Sequence, residues 1–322
     1  MGATGHDLHI DVPLSNIIIN YKPRGLEICE AIAPVVPVVK QSDSFIEWNK
    51  EDIFRVEADD RAPGTEAKRI TRNVSSDVYN AKNYALKDAL TLEDRENMDA
   101  AYLVELRQGK AKYIKQKLML NWAYRLFGTH LSTSNVASYN TVASDWIEHR
   151  NGYSDPLGDC FQAIKNVEAT TGIRPNSCLM SSVAWEQFRQ HADVIDVIHG
   201  SQAPQKGSRF ANHDGFRNIF ELDRFNVVET YYSTAQEGQA ASIAHMWGDK
   251  VLFYYAPLAP SKDDPSYMYS FRWRKPSIPE FSVEVHPFDR KIKAEEVEVG
   301  YYQDEKVIST ALGYMITNPT SV

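Results

Sequence analysis

Cysteine is scarce in this chain of 322 residues: Cys29, Cys160 and Cys178 are an odd three, and none stands in a C-x-x-C pair. A disulfide framework and a zinc ribbon are thereby excluded, and the three are expected to be small buried hydrophobes. Long apolar runs are missing too. Nothing approaches the roughly 18 uninterrupted apolar residues of a membrane span. The best candidate, Ala31 to Val39, is short and carries two prolines. The first residues, MGATGHDLHID, have neither the basic nor the apolar region of a secretion signal. His6 stands where a myristoylation signal needs Ser or Thr.

The common motifs of chemistry are absent as well. There is no G-x-G-x-x-G, no Walker A loop, no H-E-x-x-H and no G-x-S-x-G elbow. The nine histidines are scattered; His6 and His9 form the closest pair, on a polar tail without a rigid scaffold. His191 and His199 are expected in solvated or capping roles. Asp59-Asp60 and Asp263-Asp264 lie in turn-like sequence, where adjacent acids are solvated rather than set across a cleft. No catalytic residue, metal or cofactor is expected.

What is present is an ordinary globular composition, 43% hydrophobic and 24% charged. The net charge of −8 argues against a dedicated sequence-reading DNA binder but leaves room for a local basic surface. Charge is unevenly spread, since residues 1–60 hold eleven acids and five Lys or Arg. Between Arg107 and Arg125, by contrast, lie Lys110, Lys112, Lys115 and Lys117 with no acid among them. That row is either a solvated face or a surface toward a polyanion, with Arg107, Lys110, Lys112, Lys115 and Lys117 as the DNA-facing candidates.

Five segments follow from the pattern. Residues 1–41 form an extended arm punctuated by Pro13, Pro23, Pro34 and Pro37, whose apolar triplets need cover from another surface. Residues 42–90 read as two long strands joined at a charged tip around Pro63-Gly64, a protruding hairpin. Residues 91–154 begin with Thr91 as a helix cap and continue as one helix to Phe127, on the order of 55 Å long, then a polar loop. Residues 155–260 look like a compact α/β unit, with one helix over 181–198 and a Gly/Pro-rich loop over 202–217. Residues 261–322 alternate in β fashion.

This order of elements resembles the major capsid proteins of tailed phages, the Hong Kong 97 phage fold. Local stretches carry the likeness. Thr171-Gly172-Ile173-Arg174-Pro175-Asn176 followed by the apolar run to Met180 is similar to the family's G-x-x-P-N entry into a strand. Val183-Ala184-Trp185 and His191 to Ile195 resemble the helix after it. Trp247-Gly248-Asp249-Lys250 resembles its W-G-D turn, and Gly300 to Ile308 its final strand pair. There are two departures. No charged helical scaffolding segment precedes the arm, which implies a separate scaffolding protein or a segment already cleaved away, and no crosslink of the kind some relatives form is predicted from the hairpin lysines Lys50, Lys68 and Lys82.

The resemblance implies an α+β capsid fold: an arm, a long β-hairpin extended loop, a peripheral domain with a long spine helix, and an α/β axial domain. It implies a structural, non-enzymatic protein that self-assembles into pentamers and hexamers of an icosahedral shell around double-stranded DNA. The shell would be assembled in the host cytoplasm and end in the virion. Implied partners are further copies of the chain, a separate scaffolding protein, a portal protein, a decoration protein and the packaged DNA. Trp48, Phe54, Arg61 and Lys68 of the hairpin, with Lys206, Arg209 and Arg217 of the axial loop, are the interface candidates. Two alternatives are an encapsulin-type compartment, whose usual N-terminal helix the arm does not resemble, and a soluble α/β enzyme built on residues 155–260.

Overall fold

The computed structural model describes residues 11–23, 25–47, 56, 60–61, 63–70, 75–142, 145–146, 154–199, 211–236, 238–240, 242–262, 264–274 and 279–320. Two mixed sheets organise them. In the first, β1 (Val35–Val38), β11 (Met268–Trp273), β13 (Ala294–Val307) and β12 (Ser282–Asp289) lie in that order, and β4 (Lys82–Thr91) also pairs with β13. β13 is 14 residues long, which lets it hold three neighbours along its length. The second sheet runs β5 (Ser138–Thr141), β14 (Gly313–Thr317), β10 (Lys250–Tyr254), β6 (Ser177–Ser181), β7 (Arg224–Val228).

The N-terminal arm departs from the extended form expected of it. Pro13 sits at the first turn of α1 (Val12–Asn20), where a proline costs no hydrogen bond, and Asp11 caps it by accepting from the Leu14 amide at 2.9 Å. A short α2 (Ile28–Ile32) follows. Pro37 lies in β1, at the end of the sheet order, where the missing amide is tolerated. Leu14, Ile18, Leu26, Cys29 and Ile32 are buried in the main core of the same chain. These five apolar residues of the arm are therefore covered by their own chain.

The described residues hold the base of the expected hairpin. β2 (Ser42–Glu47) pairs antiparallel with β3 (Ser75–Asn80), and the return leg then leaves its partner to join β13 as β4. Its base rests on the first sheet through a third small cluster, where Phe45 and Tyr79 pack on Phe271; the Tyr79 and Phe271 ring centroids are 4.6 Å apart.

Thr91 does cap a helix, accepting from the Asp94 amide, but α3 (Leu92–Glu96) stops after five residues. Asp99 takes the N-cap position of α4 (Ala100–Arg125), whose 26 residues span about 39 Å. Gly109 does not interrupt it; a π-turn over Leu126–His130 ends it. The single helix expected from 91 to 127 is thus two. β5 lies in the stretch expected to be a loop.

In the α/β region α5 (Pro156–Thr171) starts with Pro156 behind an Asp155 cap and ends on Gly172 at φ 69, a left-handed stop that favours glycine. The helix expected over 181–198 breaks at 189–191 into α6 (Ser182–Phe188) and α7 (Ala192–His199). The end of the expected 202–217 loop is helical: Asn212 caps α8 (His213–Phe220) by accepting from the Gly215 amide. A two-stranded ribbon, β8 (Tyr231–Ser233) with β9 (Ile243–His245), stands beside α4.

The second sheet is covered on both faces. Cys178, Met180, Val251, Phe253, Tyr314 and Ile316 face the cluster made with α5, α6, α7 and α8. The alternating residues Leu179, Leu252 and Met315 join the cluster that holds α1, α4 and the first sheet. The expected boundary at 260/261 is therefore not a packing boundary, because β14 returns the end of the chain to the α/β sheet.

Candidate interaction surfaces

The hairpin tip is the least covered described segment. Residues 60, 61 and 63–70 are all exposed, and Val56 and Ile70 are 92% and 67% accessible. Gly64 turns the chain at φ 84, and Arg61 Nε donates to the Thr65 carbonyl at 2.6 Å, closing the tip on itself. Arg61 and Lys68, two of the interface candidates, lie here. Trp48, Phe54, Lys206 and Arg209 lie outside the described residues. Arg217 sits on α8, 3.6 Å from Asp214 one turn back and half-exposed.

The basic row on α4 is divided by the fold. Arg107 donates to Glu295 at 2.7 Å, and Lys110 donates to Asp88 and to the Ala89 carbonyl at 3.1 and 2.8 Å. Arg125 donates to Glu305 at 2.8 Å and lies 3.8 Å over the Tyr84 ring. Lys115 is 3% accessible: it donates to the Ile18 carbonyl at 2.6 Å, capping the end of α1, and stands 4.5 Å over Phe281. Burial pushes its pKa down to about 8, against the opposing pull of Glu280 and Glu30. Of the cations in the row that are not buried, only Lys112 and Lys117 keep their charges off carboxylates among the described residues, lying over Tyr21 and Tyr113. The row is thus not the continuous polyanion-facing stripe that its sequence suggested. Its acids are supplied from β4 and β13, and a count within the helix cannot see them.

Sequence reasoning also missed a buried ionic chain between the sheet and α4. Arg272, fully buried, pairs with Glu280 and donates through Nε to Gln303 at 2.8 Å. Gln303 donates to Glu305 at 2.8 Å, and Glu305 accepts from Arg125. Two guanidinium groups and two carboxylates balance, so each buried charge is paired. The signal was available in the run of acids along β13, whose inward members only make sense against cations elsewhere.

None of this is arranged for catalysis. His245 takes amide hydrogen bonds from Trp247 and Gly248 on Nδ1, at 3.4 and 3.2 Å. Nε2 therefore carries the proton and donates to the Val228 carbonyl at 2.9 Å. Although Ser182 Oγ is 3.1 Å from Nε2, this tautomer offers it no base. Burial pushes all three thiols up, so they are poor nucleophiles. Among the described residues no cluster of His, Cys, Asp and Glu could hold a metal ion. No described helix is long and apolar enough to cross a membrane.

No protein-family model and no curated protein matches the chain. Solved structures do. A phage-related protein from Bordetella bronchiseptica superimposes with a TM-score of 0.73 at 22% identity, over 96% of this chain and 97% of its own. The capsid structure of a cyanophage gives a TM-score of 0.53 at 10% identity, over 89% and 86%. The chain has a phage-capsid fold. An encapsulin from Synechococcus elongatus shares it, with a TM-score of 0.52 at 12% identity over 93% and 89%. The likeness spans nearly the whole chain in each case.

Proposed function

We propose that this chain is the major capsid protein of a tailed phage, with the Hong Kong 97 architecture, building pentamers and hexamers of an icosahedral shell around double-stranded DNA. The supporting observation is the hairpin tip: an exposed, charged, self-closed turn carried on a two-stranded ribbon. Such ribbons are marginal in water, and a neighbouring copy would supply what the chain itself does not. Arg61 and Lys68 are placed to make that contact, and Arg217 to line a contact at a capsomer centre. Lys117 remains as the DNA-facing candidate, neutralising phosphate without reading sequence. Scaffolding, portal and decoration proteins belong to this reading as partners.

An encapsulin-type compartment is the second reading. It gains from the structure of the arm: an extended arm would have set the chain apart from encapsulins, and α1 removes that distinction. Among the described residues no arrangement supports the enzyme reading. Negative-stain microscopy of the purified chain, with analysis of the particle contents, tests the proposal. Closed shells, or rings of five and six, are expected. Shells filled with one stoichiometric protein would favour the compartment, and a monomer that does not assemble even with its scaffold would sink both.

A further inference from the structure

α4 is covered along only part of its length. Its buried residues are Ala111, Ile114, Lys115, Leu118, Met119, Trp122 and Ala123, and none of the described side chains over 102–110 is buried. On the outward face of this half and the turn after it, away from the contacts of Arg107 and Lys110 with β13 and β4, Tyr102, partly covered Leu106, Gly109 and Tyr113 follow one another at spacings of four, three and four, the seam of a helix that packs on another helix. Tyr102 and Tyr113 are 62% and 56% accessible. Gly109 is the odd member. A helix-interior glycine weakens the helix, and a Cβ built on Gly109 meets nothing within 4 Å, so no contact in this chain requires it. It leaves a hole in the seam.

We infer that this half of α4 is a self-complementary contact, pairing antiparallel with the same segment of a second copy about a two-fold axis. The inference deepens the shell reading, which supplies the second copy. Two features of the helix select that occupant. In an antiparallel pair Leu106 enters the space above Gly109 of the second copy while Tyr113 meets Tyr102, and symmetry makes each contact twice. Glu105 and Lys112 flank the same side of the seam, seven residues apart, so the same pairing sets each opposite the other. Neither has an ion-pair partner among the described residues; Lys112 only overlies Tyr21 at 5.9 Å. A parallel pair loses both gains: glycine would face glycine, and Glu105 would face Lys110, which Asp88 already holds.

The test is a pair of cysteines, Glu105→Cys with Lys112→Cys. Within one helix these Cα atoms are about 10.5 Å apart, beyond the roughly 7 Å a disulfide can bridge, so any bond between them joins two chains. Mild oxidation of assembled particles is expected to convert the double variant to a band of twice the mass on a non-reducing gel, and neither single variant should do so. Shells by microscopy without that band overturn the inference and leave the shell reading standing. The band in a preparation without shells supports the pairing and counts against the shell reading. Gly109→Leu gives a second check that does not depend on cysteine chemistry. It fills the hole with a better helix former, so the separated chain should melt no lower while the yield of particles falls at least tenfold. An unchanged yield overturns the inference.

Discussion

The arm and the hairpin tip both carry proline and both read in the sequence as extensions from the body, yet the molecule treats them oppositely. Residues 12–38 place Leu14, Ile18, Leu26, Cys29 and Ile32 in the main core and add β1 to a sheet. Residues 60–70 bury no described side chain. The arm is part of the folding unit, held by apolar burial and by Lys115 at the end of α1. The described residues of the tip bury no apolar surface in their own chain, and under the proposed shell reading a second copy covers them.

The largest effect that sharpens this contrast belongs to the arm. Ile18→Ala should destabilise the separated chain by about 2–5 kcal/mol, since it opens a cavity in the core. Denaturant melts of the dissociated protein check this, and a loss under about 0.5 kcal/mol would mean that the arm docks only weakly. Next comes Lys115. Its pKa is about 8 in the folded chain against 10.5 for an ordinary lysine, so between those values the unfolded chain holds a proton that the folded chain has released. This group's contribution to stability therefore rises with pH across that window and is lowest below 8. Lys115→Met should remove that slope, read as a stability difference from the parent that changes between pH 8 and 10. Buried tyrosines such as Tyr301, pushed up to about 12, act in the opposite direction only above 10. The smallest effect on stability belongs to the tip: Arg61→Ala with Lys68→Ala should change it by no more than about 0.5 kcal/mol while reducing particle yield. Equal loss of both would mean that the tip packs on its own chain.

Local signals were legible in the sequence. Thr91 as a cap, Pro156 opening α5, Pro63-Gly64 at a turn and the alternating strands of the tail each follow from a few neighbouring residues. The order of segments was enough to place the whole chain in one architecture. What was not legible depended on distant partners. The break before α4 falls between Asn97 and Asp99, where the chain leaves the helical conformation inside a continuous helical pattern. The prolines of the arm read as breakers because their positions, at a helix start and at the end of a sheet, are set by tertiary context. The basic row of α4 looked unpaired because Asp88, Glu295 and Glu305 are 22, 188 and 180 residues from their partners. β14 was read as tail, although its partners β5 and β10 lie in the other sheet.

Amide hydrogen exchange, followed in the dissociated chain and in assembled particles, tests the contrast most directly. The account predicts that the amides of α1 are protected in both states, and that residues 63–70 exchange rapidly in the separated chain and become protected in particles. Rapid exchange of α1 in the separated chain, or a tip equally open in both states, would contradict it.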